Sequence, residues 1–342
     1  MSSDSVLPTP QDAPKPHDSR LRKIFVGNEG LRAGWSVLIF ILISALIVAI
    51  GIFAVQKTRV VTPPTAASPQ ISLSFGFVDE AISAFAALLA TWILSKIERR
   101  GRSYGFGGPH RVKLFLAGLI SGLFLISLLV FTLWKSGLLV IERRLIFGPE
   151  VWSYGALWFL AFCLVALAEE SLSRGFLLYT LTRGLAALYR GLFKTPHSPA
   201  LGFWTAAVIM SVVFYLGHTS NPGESPIGLL AVFVGGMFFC YGVWHTGSIW
   251  WGIGMHAAWD WGQSFLFGVP DSGLMVEHHF LATNPQGNPV LSGGTTGPEG
   301  SILVVAVLAV GSLIVSLTLP RGRYYDPPPL KTEPQEPASA VA

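Results

Sequence analysis

Charge is what this sequence has least of. Only 12% of its 342 residues are Asp, Glu, Lys or Arg, against 51% hydrophobic residues and a mean hydropathy of +0.55. A soluble domain carries about a quarter charged residues, so a water-facing surface is excluded over most of the chain and a polytopic membrane protein is expected. Cysteine is scarcer still. Cys163 and Cys240 each sit inside an apolar run; they are expected to pack as small apolar groups, and they exclude a cysteine-based metal motif. No long apolar segment begins before about Trp35, so no signal peptide is expected, and residues 1–19 are Ser-, Pro- and Asp-rich. Glycine, by contrast, is plentiful at 37 residues, which suits close helix–helix contact in lipid.

Apolar runs predict eight spans, at 35–55, 75–97, 114–134, 151–178, 201–221, 227–244, 247–267 and 302–319. The chain then divides into a disordered cytoplasmic tail and juxtamembrane segment (1–34), an all-α transmembrane domain (35–319) and a second disordered cytoplasmic tail (320–342). A Pro-rich external loop is expected at 63–69, and the longest connection, 268–300, holds no Lys or Arg. With alternating sides, Lys57, Arg59, Lys135, Arg143 and Arg144 fall outside, and the other 18 of the 23 basic residues fall inside. That bias predicts both termini in the cytoplasm.

Against this apolar background, Glu169-Glu170-Ser171-Leu172-Ser173-Arg174 stands out, because the run Val151 to Ala168 before it carries no charge. An acidic residue at a helix centre in the bilayer costs roughly 2.5–3.5 kcal/mol on insertion scales, so two in succession ask for a function. On a helix Glu170 and Arg174, four apart, share a face, and Arg174 can neutralise Glu170. Glu169 is turned about 100° away and keeps no such partner. One glutamate is then structural and the other free to act. His218 closes the run Met210 to Gly217, and His256 and Asp260, also four apart, share a face of a later span. That pair can present two ligands to one metal or two hydrogen-bonding groups to one carbonyl. Ionisable groups on three spans are expected to converge on one site, where each offsets the others' burial.

Other polar residues read as structure. Glu277, His278 and His279 form a loop cluster, His245 lies in a tight turn facing water, and Asp79 and Glu80 mark an interface. Gly118 and Gly122 make a small-xxx-small packing pair.

Glu-Glu-x-x-x-Arg (169–174), Phe-x-x-x-His (214–218) and His-x-x-x-Asp (256–260) occur in order on separate spans. Together with Arg174-Gly175-Phe176-Leu177 and Gly254-Met255-His256-Ala257-Ala258-Trp259-Asp260, they resemble the CPBP family of CAAX prenyl endopeptidases and bacteriocin-processing intramembrane proteases, also called Abi, over about residues 150–267. The resemblance implies an intramembrane (metallo)endopeptidase. Glu169 would activate water, Glu170 and Arg174 would support it, and His218, His256 and Asp260 would bind a metal, with zinc the expected ion, or orient water and stabilise the oxyanion without one. Many members carry Asn where Asp260 stands; an ionised Asp cannot donate a hydrogen bond, which favours a ligand role there. The implied partners are the lipid bilayer and a membrane protein or peptide substrate, not nucleic acid, and the implied location is a bacterial inner membrane. Two rival classes are a non-catalytic scaffold or bacteriocin-immunity protein of the same fold, and a proton- or metal-coupled transporter; no inverted repeat supports the latter. On this span assignment His218 is displaced from Glu169 and His256 by about 10 Å along the membrane normal.

Overall fold

The apolar runs become helices. The computed structural model describes residues 24–27, 30–65, 70–98 and 104–325. Most of the two expected disordered tails, and parts of the 63–69 loop and of the basic loop near residue 100, lie outside the described residues. In chain order the helices are α1 (Ala33–Thr58), α2 (Leu73–Ile97), α3 (Arg111–Lys135), α4 (Pro149–Glu170), α5 (Leu178–Phe193), α6 (Ser198–His218), α7 (Pro226–Thr246), α8 (Trp250–Asp260), α9 (Pro289–Ser292) and α10 (Leu303–Thr318). A π-helical turn, Ser171–Leu177, joins α4 to α5, so that Pro149–Phe193 forms one helical rod of 45 residues. A second π turn, Trp261–Leu266, extends α8. The protein is an all-α polytopic membrane protein. Among the described residues six helices are long and apolar enough to cross a bilayer: α1, α2, α3, the α4–α5 rod, α6 and α7. The last two expected spans are shorter, α8 with its π turn and the 16-residue α10.

In α1 burial runs opposite to that of a soluble protein. The buried residues of α1 are Ser36, Phe40 and Ser44, one stripe at helical spacing, while Ile41, Leu42, Leu46, Ile50 and Phe53 face outward. With hydrocarbon as the solvent, apolar side chains gain nothing by turning inward, and small or polar groups make the helix contacts. The tightest such contact joins α3 to α8. A Cβ on Gly118 would run into the carbonyl of Trp251, one on Gly122 into that of Met255, and one on Gly254 into that of Phe115. The small-xxx-small pair thus seats α8, the carrier of His256 and Asp260. Cys163 and Cys240 are both free.

Short strands gather the connections at one end of the bundle. Residues 268–300 form a folded cap rather than an irregular loop. Its β5 (Met275–Val276) pairs in parallel with β3 (Gln70–Ile71), and its β6 (Leu281–Pro285) pairs antiparallel with β4 (Leu139–Arg144), with a bulge between Ile141 and Arg143; a further pair, β1 (Val26–Gly27) with β2 (Gly30–Leu31), precedes α1. The Glu277 to His279 cluster locks this cap in place. Glu277 accepts from the Leu73 N–H at 2.8 Å, His278 stacks on Tyr154, and His279 Nδ1 donates to the Val276 carbonyl at 2.7 Å. At the α6–α7 connection Thr296 donates to the carbonyl of Gly223. His245 differs from expectation: it is buried, with Nε2 donating to the Leu319 carbonyl at 3.1 Å, because the chain after α10 folds back over it.

The connections after α1, α3, α6 and the α8 π turn therefore share the capped end, which places the α5–α6 connection at the other. Lys194→Cys and Val290→Cys should label from opposite sides of the membrane with an impermeant maleimide. Labelling of both from one side would contradict this path.

Candidate active site

Helix α4, uncharged from Val151 to Ala168, ends in two carboxylates, and the turn after it sends them to different environments. Glu170 is completely buried. Arg174 Nη1 donates to its Oε1 at 3.0 Å, and both side chains are at most 2% exposed. The guanidinium lies over the rings of Phe214 and Phe239, 4.6 and 4.9 Å from their centroids, so the Phe of the second motif serves the Arg of the first. Arg174 Nη1 also donates to Ser173 Oγ at 3.0 Å, and that hydroxyl donates to the Glu169 carbonyl. Opposite Glu170 stands Gly252, where a Cβ would lie 3.1 Å from Oε2. Glu169, in contrast, keeps 41% of its side chain exposed.

α8 brings His256 and Asp260 to the same place from across the bundle. His256 Nδ1 lies 3.2 Å from Glu170 Oε1, while Nε2 lies 3.5 Å from Asp260 Oδ2 and 3.9 Å from Glu169 Oε2. One imidazole thus faces three carboxylates, two of them from the first motif. His218, the last residue of α6, donates from Nδ1 to its own helix at the Phe214 carbonyl, 2.8 Å away. In the neutral ring this leaves Nε2 as an acceptor.

Glu169, His218, His256 and Asp260 all line one cavity of about 270 Å³. The offset of His218 expected from the sequence does not keep it out; that offset assumed a span ending near residue 178, whereas the rod bearing Glu169 runs on to Phe193. Three further carboxylates, Glu80, Asp271 and Glu299, line the same cavity. Glu80 is therefore not merely an interface residue. It is half-buried on α2 beside exposed Asp79, and an acid early in an apolar span was its only signal. Asp271 and Glu299 come from the cap, where charge is ordinary and marks nothing. Ser264 donates to Asp271 at 3.1 Å, and the Ser272 N–H and hydroxyl donate to Glu299 at 2.5 and 3.2 Å. Burial pushes the Asp271 carboxyl up to about 6, and burial beside Asp271 pushes Glu299 well above the usual carboxylate range.

The expected metal ligands do not group as a coordination set. Among the described residues no three His, Cys, Asp or Glu side chains are arranged to hold a metal ion. His256 has carboxylates against both ring nitrogens, whereas His218 donates from Nδ1 to backbone and keeps Nε2 as the nitrogen that could take a ligand role.

Residues 150–262, about a third of the chain, match the family model described as type II CAAX prenyl endopeptidase Rce1-like. The match spans all three motifs and bears out the resemblance they carry. No curated protein and no solved structure matches the chain.

Arg174 is the sole cation within hydrogen-bond reach of Glu170 apart from His256 among the described residues. Arg174→Ala should therefore lower the amount of folded protein and its melting temperature as well as any activity, since breaking a buried pair costs about 3–5 kcal/mol. Wild-type accumulation and melting of Arg174→Ala would remove the pairing from the account.

Proposed function

We propose that this chain, whose residues 150–262 carry the Rce1-like signature, is an intramembrane endopeptidase that hydrolyses a peptide bond of a membrane-associated protein or peptide. The observation that carries this reading is the unequal pair. Glu170 is buried on Arg174, while Glu169, one residue earlier, is exposed to a cavity that also holds His218, His256 and Asp260. A carboxylate open to a cavity, with His256 Nε2 at 3.9 Å rather than a buried guanidinium against it, is what a general base requires.

In the proposed reaction Glu169 takes a proton from a cavity water as the water oxygen bonds to the scissile carbonyl carbon. His218 Nε2, free to accept, orients that water. His256 stands where its Nε2 can donate to the oxyanion, its ring held by Glu170 at Nδ1, with Asp260 3.5 Å from Nε2. Glu169 then returns the proton to the amine nitrogen as the C–N bond breaks, and its carboxylate is restored. Each step uses a group of this chain.

The test is cleavage of a library of membrane-anchored peptides by purified full-length protein beside Glu169→Gln. Wild type should cleave and Glu169→Gln should lose at least about 10²-fold in kcat, the minimum of a general base's contribution. Equal turnover by both would overturn the assignment. A folded wild type that cleaves nothing would favour the non-catalytic scaffold.

Asp260→Asn and a chelator probe the remaining chemistry. With glutamate as the base, the amide at position 260 can donate to the oxyanion as well as hold His256, so activity should be retained and chelator should not reduce it. Loss of activity in both arms, with stoichiometric metal by elemental analysis, would replace this mechanism with a metal-based one.

A further inference from the structure

The polar, Pro-rich composition after α10 predicts a disordered tail from residue 320, yet residues 320–325 are built into the body. Gly322 N–H donates to the His245 carbonyl at 2.9 Å. A Cβ on Gly322 would run into the Thr246 carbonyl, and Gly247, at φ +69°, would with a Cβ meet Arg323 backbone at 2.7 Å. Two glycines thus let this strap lie backbone to backbone on the α7–α8 turn.

The strap ends in Tyr324, buried at 9% exposure and edge-on to Tyr179 and Phe203 at 5.6 and 5.8 Å. Its hydroxyl donates to the carbonyls of Arg174 and, at 2.9 Å, Gly175. Both belong to the π turn after the glutamates. The amide of Leu178, which closes that turn, goes to Ser173 O and Gly175 O and passes over Arg174 O. Tyr324 supplies a donor at the carbonyl so passed over. Burial pushes the phenol well above its usual range, so the hydroxyl keeps its proton and remains a donor. Side chain and backbone of one residue then join the strap to the site: the Arg174 carbonyl accepts from Tyr324, and its guanidinium holds Glu170, which lies against His256, which faces Glu169.

We propose that Tyr324 is a positioning residue: through its hydroxyl on the Arg174 and Gly175 carbonyls, the C-terminal strap fixes the π turn and hence the placing of Glu169 against His256. This rests on the reading of the cavity as a hydrolytic site. Tyr324 touches no reacting atom. It acts by holding the turn in the one geometry that spends Glu170 on Arg174 and leaves Glu169 in the cavity.

The test uses full-length Tyr324→Phe, which keeps the ring, Gly322→Ala, which displaces the strap without touching the site, and the double variant. Two readouts are taken: kcat and KM on a peptide that wild type cleaves, per folded molecule, and amide hydrogen exchange over residues 171–178 against residues 111–135 of α3. Tyr324→Phe should lower kcat about tenfold with KM unchanged, as expected for a small misplacement of a catalytic group. Exchange should rise in 171–178 and not in 111–135. Gly322→Ala should do the same, and the double variant should be no worse than the worse single, because both break one link. Wild-type kcat and exchange in Tyr324→Phe would overturn the proposal. So would multiplicative losses in the double variant, or exchange rising throughout the chain while kcat per folded molecule holds. If wild type cleaves no peptide, the proteolytic reading fails by itself, and local exchange alone decides whether Tyr324 holds the turn.

Discussion

The ion pair between Glu170 and Arg174 is the constraint on which the rest depends. Both side chains are taken out of water, so each is tolerable only with the other present. The pair dictates its own surroundings. Phe214 and Phe239 cover the guanidinium with ring faces, and Gly252 leaves room for the carboxylate. His256 occupies the remaining reach of Glu170 Oε1. Helices α4, α6, α7 and α8 are thus drawn to one point by one buried charge pair, and the cavity forms beside it.

The pair also explains why two adjacent glutamates can differ. Adjacent helical positions diverge by about 100°, so neutralising one carboxylate leaves the other facing elsewhere. Here that other direction is the cavity, and the Ser173 hydroxyl, bonded to the Glu169 carbonyl and to Arg174, ties the backbone of the free residue to the side chain of the fixed one. Two of the site-bearing helices, α4 and α8, run directly into π turns, at 171–177 and 261–266. Such turns widen the helix where function is carried, and each is held from outside the membrane-spanning body. The strap reaches the first through Tyr324. The cap reaches the second through its Phe280 N–H, which donates to the Phe265 carbonyl at 2.7 Å.

Much of this was legible in sequence because it is local. Charge scarcity showed the fold class, the four-residue spacings showed which polar groups share a face, and Gly118 with Gly122 marked the packing of α3. Glu80 showed only as an acid early in an apolar span; Asp271 and Glu299 were illegible for a different reason. Their place in the cavity is set by how the cap sits across the bundle, through strands of two to six residues too short to show periodicity. Tyr324 was hidden by composition: it lies at the edge of a polar, Pro-rich tail, and its partners are carbonyls 149 and 150 residues away. Two of the expected spans came out as shorter helices, α8 passing into its π turn at Trp261 and α10 running from Leu303 to Thr318.

The central claim is the division of labour between the adjacent glutamates, and thermal melting of purified Glu169→Gln beside Glu170→Gln tests it most directly. The account predicts that Glu169→Gln melts with wild type, because its carboxylate holds nothing together, and that Glu170→Gln melts well below, because Arg174 is left buried without its counter-charge. Equal melting of the two variants, or the reverse order, would contradict it.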